Sequence, residues 1–404
     1  MQKLWFIVLL FAVLACNKDY KPDYGIDLDK INSISIDETV NYGVANLPSD
    51  AGSEITKYFD KYTRYVAENG QYVHFFADAS ISHFELARQR EIFSGILKNY
   101  PNSNHGSDKA EIGNYLAEDI SCIMFFSDEN SMNTAANGKL LASSIHLHPI
   151  LYENIFTEGS ALFIGGNDVD QSMAKLMKVI LKSGIANTNY GYNSEIYNAS
   201  NNARSNSVWI PNDVTTLQAN GELGLRYITV LLEVYYGQWQ KSGIVNSGEY
   251  LYPDRSNLAS DPLGLNAIEV FFHPFLPYKV MLDPDFSDDL EMEFNSNVDY
   301  TYRSQYFGEV DMSPSTCTNL TANSYNNNIL GNGLDNTIIG KSGDDFIDGN
   351  DGFDIAGFTG IRNEYLISTA GNYTIVQDTV PSRDGLDTLI NIERLQFQDI
   401  TVDL

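Results

Sequence analysis

Apolar side chains recur with two different rhythms along this chain. From residue 53 to about residue 316 they follow helical or alternating spacing, whereas from Ala322 to Gly357 one aliphatic position returns every ninth residue. In the first stretch Ile55, Tyr58, Phe59, Tyr62 and Val66 share one face of a helix that Ser53 caps and Asn69-Gly70 closes. A strand is expected at 72–77, then a helix over 80–98 with Phe84, Ala87, Ile92 and Ile96 turned inward. A short helix over 109–118 leads into a strand at 120–126. The stripe Met173, Leu176, Met177, Ile180 and Leu181 predicts a helix over 168–183, and a Tyr- and Leu-dense stretch predicts another over 217–236. After a helix over 265–272, two strands are expected at 278–282 and 290–294. One more short strand is read at 31–36, where Ile31, Ser33, Ile34 and Ile36 loosely alternate. Helices and strands in mixed order read as an α+β domain.

The second rhythm has a fixed column structure. Counted in nines from Ala322, Gly331, Gly340 and Gly349 open successive units, Asn327, Asn336, Asp345 and Asp354 occupy the sixth column, and Ile329, Ile338, Ile347 and Ala356 the eighth. The units GKSGDDFID and GNDGFDIAG fit the nonapeptide G-G-x-G-x-D-x-U-x except for Lys341 and Asn350 in the second column, and the two units before them are degenerate versions. Each unit divides into a turn and a three-residue strand, so one apolar side chain per unit points into a narrow core and the turns stack into a parallel β-roll. Stacked turns offer backbone carbonyls and carboxylates, the hard oxygen ligands that Ca²⁺ takes in sixes to eights. The expected Ca²⁺ ligands are Asn336, Gly340, Ser342, Asp344, Asp345, Gly349, Asp351 and Asp354. A flexible Gly/Asp/Asn linker has no reason to hold aliphatics and acids at a constant interval, and the spacing of an EF-hand is absent.

These repeats resemble the RTX, or hemolysin-type, calcium-binding repeats. The segment that follows, with Phe358-Thr-Gly-Ile-Arg362, Tyr365-Leu-Ile, Tyr373-Thr-Ile-Val, Arg383 to Leu389 and Ile392 to Phe397, looks like the β-rich cap that often follows them. The resemblance covers about the last fifth of the chain. It implies calcium as the cofactor and an extracytoplasmic address.

The other end supports that address. Residues 1–16, MQKLWFIVLLFAVLAC, place one Lys before an apolar core too short to span a bilayer, as in a secretory signal. The ending Val13-Leu14-Ala15-Cys16 looks like a bacterial lipobox, which implies lipidation at Cys16 and a membrane anchor. Asn17-Lys18-Asp19-Tyr20 weakly resembles the acidic-flanked surface-export signal of Bacteroidetes lipoproteins. Export by the general pathway makes the repeats a calcium-dependent folding module rather than a secretion tag. The expected division is 1–16 signal, 17–52 tether, 53–316 α+β domain, 317–357 repeats and 358–404 cap.

Charge narrows the partners. With 53 acids against 25 bases, a formal charge of -28 and no basic run, nucleic-acid binding is disfavoured. Past Cys16 only Cys122 and Cys317 remain, which leaves open one disulfide or two buried thiols.

Catalytic motifs are scarce. The sequence holds no H-E-x-x-H, G-x-S-x-G or G-x-x-x-x-G-K-[ST]. His146 and His148, two apart on a strand, share a face and are weak zinc candidates without an identifiable third ligand; two edge histidines beside Pro149 are the plainer account. The helix pair 176–185 and 222–239 is faintly similar to zincin-like metallopeptidase domains, but the first helix holds Lys175, Lys178 and Lys182 on its polar positions and no histidine, and Glu222 and Glu233 then read as ordinary helix residues. Asp283, Asp285, Asp288 and Asp289 form an acidic turn that reads as a solvated loop. Two functions remain: a calcium-stabilised surface lipoprotein that binds or scaffolds an extracellular protein or glycan, and a secreted, peptidase-like hydrolase stabilised by calcium. A transition metal held tightly at His146 and His148 separates them.

Overall fold

Two nearly continuous apolar runs, Tyr72–Ala77 and Ser121–Phe126, lie side by side in parallel, as strands buried on both faces do. In the computed structural model, which describes residues 25–136, 145–165, 169–238 and 248–404, they are the third and fourth strands of a five-stranded sheet. Its members are β1 (Ala45–Asn46), β2 (Lys61–Val66), β3 (Tyr72–Ala77), β4 (Ser121–Phe126) and β5 (His146–Leu151), in that spatial order. The first two pairings are antiparallel and the last two parallel. Cys16 and the signal segment lie outside the described residues.

Helices cover the sheet. The helix His83–Ile96 starts at Ser82 with a reciprocal capping box: Glu85 N–H donates to Ser82 Oγ (3.1 Å) and Ser82 N–H to Glu85 Oε2 (2.7 Å). From it Arg88 reaches Glu158 through two bonds (2.6 and 2.7 Å) and Asp170 at 2.6 Å, while Tyr278 O–H donates to Glu158 at 2.8 Å. All four residues are buried, so removing one partner of this cluster costs roughly 3–5 kcal/mol. The helices Ser172–Val179, Tyr190–Ser205, Leu223–Tyr235 and Pro262–Glu269 complete the layer, and the first of them continues as a π-helical stretch, Ile180–Ile185.

Three expectations give way. Residues 53–66 do not form one helix: only a 3₁₀ turn, Ile55–Lys57, precedes β2, which pairs with β3 from Lys61↔Ala77 to Val66↔Tyr72. Aromatic and β-branched residues beside an Asn69-Gly70 turn favour a hairpin, and Gly70 takes φ +79° there. At 31–36 the expected strand is replaced by a short helix, Leu28–Asn32, whose Lys30 N–H donates to the capping Asp27 at 3.0 Å. The stretch 217–236 is interrupted at Gly221, φ +69°, and splits into Val214–Ala219 and Leu223–Tyr235. Tyr190–Ser205, unexpected because it is so rich in asparagine, still buries a stripe of Tyr192, Ile196, Ala199 and Ala203.

Beyond residue 278 the chain winds as a two-sheet coil. One sheet contains β6 (Lys279–Met281), β8 (Glu309–Asp311), β10 (Asn328–Leu330), β12 (Phe346–Asp348) and β16 (Leu386–Ile390); the other contains β7 (Leu290–Glu291), β9 (Asn319–Thr321), β11 (Thr337–Ile339), β13 (Ile355–Gly357) and β17 (Arg394–Gln396). Within each set neighbours are parallel, and two nine-residue units make one coil, since Ile329 lies beside Ile347 and Ile338 beside Ala356. A hairpin, β14 (Tyr365–Ala370) with β15 (Tyr373–Asp378), interrupts the winding before β16, and β18 (Thr401–Asp403) closes the far edge antiparallel to β17. Ile329, Ile338, Ile347, Ala356, Leu389 and Leu395 are all buried in the coil, and that core is continuous with the helical layer. Thus β6 and β7 belong to the coil although they lie in the stretch assigned to the α+β domain.

Lys341 and Asn350, in the second column where the nonapeptide has glycine, hold φ of +65° and +71°. A left-handed conformation costs a side-chain-bearing residue roughly 1–2 kcal/mol, with Asn more tolerant. Replacing Lys341 by Gly should therefore stabilise the protein by about 1 kcal/mol in denaturant titration, and Asn350→Gly by less; a destabilised Lys341→Gly protein would contradict this.

Candidate metal centre

In the two acidic repeat turns the sixth-column side chain reaches the turn one coil earlier through one of its oxygens. Asp345 Oδ1 accepts the Asn327 N–H at 2.7 Å, and Asp354 Oδ1 accepts the Asn336 N–H, also at 2.7 Å. Their second oxygens accept no hydrogen bond, although Asp345 is 2% and Asp354 0% exposed. A buried carboxylate oxygen without a donor is costly. Here it recurs at the same column on both sides of the coil.

Glycines make room for this arrangement. Gly343 and Gly352 take φ of +134° and +137°, and a Cβ on either would lie 2.5 Å from a carbonyl of the preceding turn, of Tyr325 and Leu334 respectively. Gly340 and Gly349 lie against the free oxygens of Asp345 and Asp354. Among the other expected ligands, Asn336 Oδ1 accepts the Asn332 N–H at 3.0 Å and Asp344 Oδ1 the Leu386 N–H at 2.9 Å, while Ser342 is half-buried and Asp351 exposed on their turns.

Three further acids, not among the expected ligands, join these turns. Asp384 and Asp387 sit in a unit that runs from Ser382 to Ile390, with Gly385, Asp387 and Leu389 in the fourth, sixth and eighth columns; the nonapeptide resumes after the hairpin insertion. Asp387 Oδ1 accepts the Asp345 N–H at 3.0 Å, repeating the bond between Asp345 and Asn327 one coil earlier. On the other side Glu393 Oε2 accepts the Asp354 N–H at 2.7 Å.

Burial and mutual repulsion act on these groups together. Burial pushes Asp345 up to about 8, with Asp344 and Asp384 adding to the shift and the Asn327 N–H opposing it. Burial and then Asp345 push Asp387 up to about 9. Burial raises Asp354 to about 6, with Glu393, Asp335 and Asp348 in the same direction. Among the described residues no three His, Cys, Asp or Glu side chains converge as a metal-binding group. The oxygen atoms these turns present, carboxylates with the Tyr325 and Leu334 carbonyls close to Gly343 and Gly352, are hard donors of the kind Ca²⁺ prefers over Zn²⁺.

Elsewhere the candidate chemistry is dispersed. His146 and His148 lie along β5 with ring centroids 6.4 Å apart; His146 pairs with Asp119, and burial lowers His148 to about 4. Lys182 Nζ lies 3.1 Å and Lys178 Nζ 3.7 Å from Glu222 Oε1, so the helix pair meets through ion pairs. Cys122 and Cys317 are both free and buried. Asp283 accepts from Thr157 of the large domain and Asp289 from Asn319 of β9 at 2.7 Å, which holds the acidic turn between the two.

No known protein family matches the chain, and no curated protein matches it. Among solved structures it is similar to the extracellular lipase LipA from Serratia marcescens, with 12% identity and a TM-score of 0.19 over 90% of this chain and 60% of that one. The chain thus spans less than two thirds of that lipase's length.

The raised carboxylates give a pH dependence for the cation-free protein. Asp345 and Asp387 hold protons in the folded state at pH values where the unfolded chain has released them. Stability is therefore present below about pH 4 and is lost as pH rises through about 8. Hydrogen exchange at the Asn327 and Asp345 amides in chelator, corrected for intrinsic rates, should show less protection at pH 8 than at pH 5; equal protection would contradict the assignment.

Proposed function

We propose that this chain is a calcium-stabilised extracytoplasmic lipoprotein, anchored at Cys16, whose coil is a folding module for a large binding or scaffold domain. The observation that carries the reading is the pair of buried carboxylate oxygens without donors on Asp345 and Asp354. A divalent cation relieves both the lost hydration and the mutual repulsion of Asp344, Asp345, Asp384 and Asp387, and favours their ionised form. Supporting this are the RTX-like nonapeptide, the lipobox-like N-terminus and the formal charge of -28, which draws divalent cations to the surface. Among the described residues no helix is long and apolar enough to cross a membrane.

Calcium gives the module its switch. Extracellular calcium modules bind with Kd of roughly 10⁻⁴ to 10⁻³ M, so the acidic turns of the coil are loose at cytoplasmic calcium and set outside. At about 100 Kd each site adds about 2.7 kcal/mol to stability. An extracellular protein or glycan is the proposed partner. A groove of about 590 Å³ between the 180–185 stretch and the helices Tyr190–Ser205 and Leu223–Tyr235 offers Asn193, Asn198, Asn220 and Tyr197 for hydrogen bonding and stacking against such a ligand.

The Asp345→Asn, Asp354→Asn double variant should bind calcium at least roughly tenfold more weakly in calorimetric titration and lose most of the calcium-induced rise in Tm. Its helical circular dichroism should persist. Unchanged affinity would overturn the proposal.

A further inference from the structure

Neighbouring turns on each side of the coil are joined in two ways, and the change falls at Gly340. Before it, side-chain amides span the gap. Asn323 Nδ2 donates to the carbonyls of Gln305 (3.2 Å) and Phe307 (2.7 Å), and Asn327 Nδ2 to Phe307 O at 3.2 Å. On the opposite side Asn332 Nδ2 donates to Ser315 O (3.2 Å) and Cys317 O (2.7 Å), and Asn336 Nδ2 to Cys317 O at 3.4 Å. All four asparagines are buried. A gap lined by carbonyls is satisfied by a hard cation or by an amide NH₂, which brings two donors and no charge.

After Gly340 the pattern changes: Asn391 Nδ2 crosses to the Asp348 carboxylate at 2.8 Å rather than to a backbone carbonyl. Lys341 and Asn350 fill the second column, and the sixth holds acids. Asp345 N–H donates to Asp387 and Asp354 N–H to Glu393, so each repeat turn meets an acid of the segment that returns after the hairpin. A Cβ on Gly349 would touch both Asp354 Oδ2 and the Asn391 carbonyl, so that free oxygen faces the returning segment. Gly385 lies against the Gly343 carbonyl and Asp344 in the matching place on the other side.

We infer, resting on the calcium-binding reading above, that tight divalent binding is confined to two sites, each shared between a repeat turn and the returning segment. Asp345 and Asp387 hold one cation, and Asp354 and Glu393 hold the other. In the turns before Gly340 the asparagine amides take the cation's place. The first half of the coil is therefore bridged by its own amides, with the neutral Asn327 Oδ1 left without a donor, and calcium clamps residues 382–396 onto it across the hairpin insertion.

The test counts calcium by equilibrium dialysis on the chain from Asn17, stripped with chelator, with circular dichroism as the check on folding. Wild type should bind two ions tightly, Asp387→Asn one and Glu393→Gln one, while Asn323→Ala with Asn332→Ala should keep two and lose stability in chelator. More than two tight ions, either acid variant keeping both, or a changed count in the asparagine variant overturns the inference while leaving calcium binding intact. A wild-type chain that binds no calcium overturns the calcium reading itself. Should Asp387→Asn fail to fold, Glu393→Gln decides alone, because its site lies on the other side of the coil.

Discussion

The burial of carboxylates inside narrow glycine-lined turns is the constraint on which the C-terminal half depends. Asp345, Asp354 and Asp387 are all but inaccessible to water, yet each is held there by backbone N–H groups from the neighbouring turn. One N–H per carboxylate does not replace the hydration lost by two oxygens. The apolar column beneath, Ile329, Ile338, Ile347 and Leu389, fixes the stacking of the turns and so fixes the carboxylates where they are. Packing thus imposes an electrostatic cost on the acidic turns.

That coil is built onto the helical layer and shares its core. β6 and β7 start its two sheets before the repeats begin, and Arg88 with Glu158 and Tyr278 ties the covering helix to the residue just before β6. A parallel coil exposes the edge of each end strand. At the start those edges adjoin the large domain, and at the far end the β14–β15 hairpin and β18 cover them.

Much of the coil was legible in the sequence because its period is strict: a side chain in the eighth column has one place to go. The returning unit at Ser382 was less visible, since the hairpin shifts it out of phase with the first four units. In the large domain, apolar runs such as Ser121–Phe126 identified their strands, whereas residues 61–66 carry spacing compatible with either a helix or a strand. Only the pairing with β3, a contact set by the turn at Gly70, decides between them. Asparagine roles were illegible for a similar reason: their amides act on carbonyls contributed by turns earlier in the chain. In the large domain Tyr227 and Tyr250 both donate to Asp261 and Lys182 pairs with Glu222, contacts between separate elements that local patterning does not reveal.

The most direct test of the central claim is hydrogen exchange by mass spectrometry on the chain from Asn17, with calcium and with chelator. The account predicts that calcium adds protection chiefly over 340–357 and 382–396, while 322–339 and the five-stranded sheet change little. Protection that is unchanged over 340–396, or that rises uniformly along the chain, would contradict it.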